Sequence, residues 1–119
     1  MGRDAPTFDD VLDLCADRRR RIVLGVLVTQ ERSLTINDLT KAIVKHNHHE
    51  PLAEVSGETL TQIKAELHHR HAPRLADAGL IKYDRERQLV EPTDRFAQVE
   101  TQLTEVLDAD PAAAPPLDL

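Results

Sequence analysis

The sequence is poor in several things, and each shortage excludes something. Cys15 is the single cysteine. It rules out an internal disulfide and a Cys-rich zinc site, and it gives no sign of an oxidising compartment. Basic charge is in deficit, with 21 acidic against 15 basic residues and a formal net charge of -6. That balance counts against strong nonspecific nucleic-acid binding, which leaves a basic footprint; any contact with DNA has to be local and aimed. The longest apolar stretch, Ile22 to Val28, falls far short of the roughly 20 residues that span a bilayer. The polar, acidic residues 1–10 do not read as a signal peptide. No nucleophile–base set, glycine-rich phosphate loop or paired-carboxylate arrangement stands out, so neither an enzyme nor a cofactor is expected. The expectation is a cytoplasmic protein with no membrane partner and no small-molecule ligand.

What is present fits one domain of 119 residues, long enough to bury roughly two thirds of its unfolded surface. Arginine outnumbers lysine eleven to four, and tryptophan is absent. An acidic, arginine-over-lysine composition fits a salt-loving organism or a GC-rich genome, and does not separate them.

Residues 1–6 read as a flexible N-terminal arm. Thr7 is a plausible N-cap, followed by Phe8, Val11, Leu12 and Cys15 at helical spacing. Asp17 caps a second helix from Arg18 to about Gln30, with Ile22, Val23, Val26 and Leu27 as its buried stripe. Gly25 inside it suggests close packing against a neighbour. Ser33 to Thr35 is short and turn-like. Thr35 and Asp38 open a third helix with Ile36, Leu39, Ala42 and Ile43 on one face. Residues 47–55, broken by Pro51, read as loop. A long helix over 56–78 carries Leu60, Ile63, Leu67, His71, Leu75 and Ala78, kinks at Pro73 and stops at Gly79. Residues 80–84 and 87–91 form a hairpin turning at Arg85-Glu86. Thr93 caps a last helix, 93–108, bearing Phe96, Val99, Leu103, Val106 and Leu107. Residues 109–119, rich in Ala, Pro and Asp, read as a disordered tail.

The fold class is therefore mainly α with a small β-hairpin: helices, a strand pair and then another helix, the order of a winged helix-turn-helix (residues 7–92) with a C-terminal helix added. In such an architecture one helix lies in the DNA major groove and the hairpin, or wing, reaches backbone or minor groove.

The run Leu67-His68-His69-Arg70-His71-Ala72-Pro73-Arg74-Leu75-Ala76-Asp77-Ala78-Gly79-Leu80-Ile81-Lys82-Tyr83-Asp84 resembles a haloarchaeal winged-helix family of unknown function, in which a His-x-x-His-x-Pro-x-Leu-x-x-Ala-Gly pattern leads to a strand ending in Tyr-Asp. The arginine-rich helix start, Arg18 to Arg21 before Ile22-Val23-Leu24, is similar to that family as well. The resemblance spans about residues 8–93 and implies a winged-helix fold and transcriptional regulation, with no catalytic residue and no settled ligand. Ala72 departs from it, since the family usually carries a larger apolar residue there.

Candidate DNA-binding residues follow. On the outward side of the helix from Ser56, Gln62 suits adenine, Thr59 and Thr61 suit a base edge or thymine methyl, and Lys64 suits guanine or phosphate. Glu58 and Glu66 on the same helix would repel phosphates. Arg85 and Arg87 at the hairpin tip suit phosphate or a narrow minor groove, unless they only blunt an edge strand. Arg18 to Arg21 sit where a helix dipole disfavours cations, so pairing with Asp13 and Asp17 is favoured over phosphate binding. His68 and His71, three residues apart, raise a metal site, but no zinc signature accompanies them, and no metal is expected. Cys15 reads as a buried small hydrophobe. The stripe Phe96, Val99, Leu103 and Val106 is the candidate homodimer surface. The expected function is a sequence-specific, double-stranded DNA-binding transcriptional regulator. The alternative is a winged-helix protein-interaction module that binds no DNA.

Overall fold

A computed structural model describes residues 6–119; the expected N-terminal arm, 1–6, lies outside the described residues except for Pro6. As the sequence led one to expect, the fold is mainly helical with a small antiparallel sheet. The elements are α1 (Phe8–Leu14), α2 (Arg18–Gln30), β1 (Leu34–Thr35), α3 (Ile36–Ile43), α4 (Gly57–Glu66), α5 (Ala72–Asp77), β2 (Ile81–Asp84), β3 (Leu89–Pro92) and α6 (Asp94–Leu107).

The helix starts follow from local chemistry. Thr7 and Asp10 form a reciprocal capping box: the Asp10 amide donates to Thr7 Oγ1 at 3.1 Å, and the Thr7 amide to Asp10 Oδ2 at 2.8 Å. Thr35 and Asp38 repeat the device at α3. Each box satisfies two backbone donors that a helix start leaves unpaired. Asp17 accepts from the Arg20 amide. Thr93 stands at the start of α6, but its hydroxyl donates to the Gly79 carbonyl at 2.6 Å and so ties α6 to the end of α5 instead of capping.

The long helix expected over 56–78 is two helices joined by a π-type turn, Leu67–His71. Pro73 supplies the reason. Its ring would collide with the carbonyl four residues back, and it offers no amide. Widening the turn so that the Ala72 amide reaches back five residues to the Leu67 carbonyl relieves the crowding. A second π-type turn, Val44–His48, prolongs α3 into what read as loop. Gly79, at φ +81°, ends α5, with the Gly79 amide on the Ala76 carbonyl and the Leu80 amide on the Leu75 carbonyl. That is the paired bonding of a Schellman stop.

The sheet has the order β1-β3-β2, antiparallel throughout. β1 falls where the sequence predicts a turn, since two residues carry no periodicity; pairing Leu34 with Val90 and Thr35 with Leu89 makes it a strand. The hairpin turn also differs from the expected Arg85-Glu86. It spans Arg85 to Gln88, because Asp84 Oδ1 accepts the Arg87 amide at 3.1 Å and Gln88 takes φ +51°.

At the centre lies α2. Ile22 to Leu27 are buried without interruption, so the stripe expected on one side becomes a central stretch covered all round. The tail is what covers the extra side. Residues 109–119 are packed rather than disordered: Ala113 is 0 % exposed and Leu117 5 %. A Cβ on Gly25 would stand 2.5 Å from the Ala113 carbonyl oxygen, which identifies the neighbour that the glycine admits. Arg21 Nε donates to Asp110 Oδ2 at 2.8 Å, and the Leu117 amide to Thr29 Oγ1 at 2.8 Å. Composition misled here because few apolar residues order the segment, and their sockets lie far away in sequence.

The α6 stripe needs the same correction. Phe96, Val99 and Leu103 are buried within the single chain, and Val106 is packed partly against the core. They lie where α6 meets α1 and α2, so they are not a free homodimer surface. Among the described residues the exposed large apolar side chains are Phe8, Leu12, Leu52 and Leu119. None of the described helices is long and apolar enough to cross a membrane.

Candidate nucleic-acid interface

Helix α4 presents the candidate reading face. Ile63 is fully buried and Leu60 packs partly on the core, which turns Glu58, Thr61, Gln62 and Lys64 outward, all exposed. Thr59 is half-buried, and its Oγ1 accepts from Ser56 Oγ at 2.8 Å within the helix start. Thr61 Oγ1 donates back to the Gly57 carbonyl at 2.9 Å. Gln62 Nε2 approaches Glu66 Oε1 at 3.5 Å. Lys64 is exposed at the end of the row. The two threonine hydroxyls therefore already serve the helix.

Arg85 and Arg87 are both exposed in the hairpin turn. The Arg85 guanidinium carbon lies 5.9 Å from the centre of the Tyr83 ring, near the outer limit of a cation–π contact. Tyr83 Oη in turn lies 2.5 Å from His68 Nδ1.

The arginine run is mostly internal wiring, although its partners differ from those expected. Arg20, 3 % exposed, donates to the Leu14 and Asp13 carbonyls at 2.5 and 3.1 Å, satisfying the open end of α1. Arg21 adds the Cys15 carbonyl at 2.7 Å. Arg19 pairs with Glu66 at 2.9 Å. The Asp13 and Asp17 carboxylates pair instead with Arg74 and Arg70. Arg18 alone of the four is exposed.

Sequence reasoning missed a cleft beside the reading face. Asp17, Arg18, Arg19, Asn47, Gln62, Glu66 and Arg70 line an open depression of about 390 Å³. Close behind two of these residues lies His71, 0 % exposed, its Nε2 3.8 Å from Asp17 Oδ1 and 3.9 Å from Glu66 Oε2. Neither ring nitrogen makes a hydrogen bond. Burial pushes His71 below the usual imidazole range; Asp17 and Glu66 oppose the shift, while Arg20 and Arg70 reinforce it. Asp17 is also shifted down: burial would raise it, but the Arg20 amide and the neighbouring cations bring it below the usual carboxylate range. The period-3.6 stripe placed His71 in the core, but nothing in the sequence revealed that it would meet Asp17.

The histidines do not converge on a metal. His68 is engaged by Tyr83, and His46 Nε2 lies 2.7 Å from the Asp118 carbonyl. Among the described residues no group of three His, Cys, Asp or Glu side chains is arranged to hold a metal ion. Cys15 is buried, and burial raises its thiol above the usual range against the pull of Arg21 and Arg20.

Residues 12–91 match the model of a family described as a domain of unknown function, DUF7344. The chain belongs to that family. The match takes in α2 through most of the hairpin, and with them Gln62, Lys64, Arg85 and Arg87. It assigns none of them a role. No curated protein and no solved structure matches the chain.

Proposed function

We propose that this DUF7344 chain is a sequence-specific, double-stranded DNA-binding transcriptional regulator on a winged helix-turn-helix scaffold. The order α2-β1-α3-α4-β2-β3 supports the scaffold, together with the sheet order β1-β3-β2. One observation carries the functional reading. Helix α4 buries Ile63 and leaves Gln62 and Lys64 exposed, while the following hairpin exposes Arg85 and Arg87 at its tip. In this reading α4 enters the major groove, where Gln62 addresses adenine and Lys64 guanine or phosphate, and the two arginines hold backbone or minor groove. The haloarchaeal setting of the family it resembles and the cytoplasmic location expected from the sequence belong to the same proposal. At molar salt the Debye length is about 3 Å, so hydrogen bonds and shape carry recognition. A net charge of -6 is then no obstacle.

A specific observation favours the alternative of a protein-docking module. The face that would meet DNA carries Glu58 and Glu66, and Asp84 and Glu86 alternate with the hairpin arginines. Two double variants separate the readings: Gln62→Ala with Lys64→Ala, and Arg85→Ala with Arg87→Ala, each checked for fold by circular dichroism. The DNA reading expects the first to relax base preference and the second to weaken binding evenly and flatten its salt dependence. Unchanged affinity in both overturns it.

A further inference from the structure

The candidate groove residues and the hairpin arginines lie on separate elements, so their relative placement has to be held by something. Among the described residues, only one side-chain hydrogen bond joins segment 57–71 to segment 81–92. It runs between His68 Nδ1 and Tyr83 Oη, at 2.5 Å. The two rings meet edge to face, with centres 5.8 Å apart and planes at 80°, and both side chains are half-buried. Burial raises the Tyr83 hydroxyl above its usual range, opposed by Arg85, so the phenol stays neutral and able to hydrogen-bond. The Arg85 guanidinium carbon lies over the same ring, 5.9 Å from its centre. His68 itself belongs to the widened turn that Pro73 imposes. A π-type turn adds a residue to the helical register and so rotates the side chains within it relative to α4.

We propose that His68 and Tyr83 are positioning residues that set the hairpin, and Arg85 in particular, against helix α4. His68 fixes the phenol end through its hydroxyl, and the ring of Tyr83 holds the guanidinium. For the DNA-binding use of this pairing the inference rests on the reading above; the mechanical link does not.

The test uses Tyr83→Phe, which keeps the ring under Arg85 and removes only the hydroxyl, and His68→Gln, which retains an acceptor. Residual dipolar couplings of backbone amides report the orientation of residues 81–92 relative to 57–66, and amide exchange reports opening of the hairpin. We expect Tyr83→Phe to reorient the hairpin and to raise exchange in 81–92 about three- to tenfold, the equivalent of one lost hydrogen bond. Exchange in α2 should be unaffected, and His68→Gln should show a smaller effect. Couplings unchanged in Tyr83→Phe overturn the proposal whatever the DNA result. On DNA, Tyr83→Phe and Arg85→Ala should each weaken binding, and together no more than Arg85→Ala alone. A reoriented hairpin with affinity intact, where Arg85→Ala weakens binding, also overturns it. A reoriented hairpin in a protein that binds no DNA sinks the DNA reading and leaves the positioning role standing.

Discussion

Gly25→Ala sets two physical effects against each other. In an exposed helix interior the change would stabilise by about 1 kcal/mol through helix propensity. Here the new Cβ would stand 2.5 Å from the Ala113 carbonyl oxygen and 2.7 Å from Leu117 Cδ1. A side-chain rotamer change relieves the second contact but not the first, which is backbone. Either α2 and the tail separate, with overpacking of about 1–3 kcal/mol, or the tail lifts and Leu117, now 5 % exposed, loses burial of about 1.5–3 kcal/mol. After the propensity gain the net expectation is destabilisation of about 1 kcal/mol, a fall in Tm of about 3–6 °C for a domain of this size. The same substitution in a chain ending at Asp110 should instead raise Tm, because the clash is gone and the propensity remains. Thermal melts of the four proteins give the cycle, with a coupling of about 2 kcal/mol between residue 25 and the tail. A Gly25→Ala variant that is stabilised equally in both backgrounds would refute the packing of the tail on α2.

Three further outcomes follow from other parts of the fold. His71 is held neutral by burial, with its folded pKa below the unfolded value of about 6.5. The unfolded chain therefore binds the proton more tightly, and this contribution to stability is complete above pH 6.5 and is lost as pH falls toward the folded pKa. In urea melts His71→Leu should remove that part of the decline while remaining as stable near pH 7; an unchanged pH slope would contradict the assignment. Arg20→Met should cost about 1–3 kcal/mol in the same assay by stranding the Leu14 carbonyl, whose partner is the Arg20 guanidinium, and Arg20→Lys should not restore it, since one ammonium cannot reproduce the fork that also reaches the Asp13 carbonyl. Leu103→Ala, at a site 0 % exposed, should cost about 2–5 kcal/mol with a Tm independent of protein concentration; a strong concentration dependence would return the α6 stripe to a dimer interface.

Much of the fold was legible because its signals are local. Thr7 and Thr35 each stand three residues before an aspartate, and Gly79 ends a periodic run, so those boundaries follow from a few neighbouring residues. The features that escaped depend on partners far along the chain. Leu34 and Thr35 are a strand only because Val90 and Leu89 pair with them. Leu117 is ordered only because Gly25 and Thr29 leave it a socket. The α6 stripe was visible, but an amphipathic helix does not state whether its apolar face meets its own chain or a copy. At the candidate interface, the outward placement of Gln62, Lys64, Arg85 and Arg87 was readable from period and turn. The satisfaction of Thr59 and Thr61 within their own helix was not, nor was the His68–Tyr83 link between two elements.

The central claim is sequence-specific recognition of double-stranded DNA. Its most direct test is selection of bound fragments from a genomic DNA pool, at about 1 M KCl and again at about 0.1 M. The account predicts recurrent enrichment of one sequence at both salts, lost in the Gln62 and Lys64 double variant. Binding at low salt without enrichment, or no binding at either salt, would contradict it and transfer the weight to protein docking.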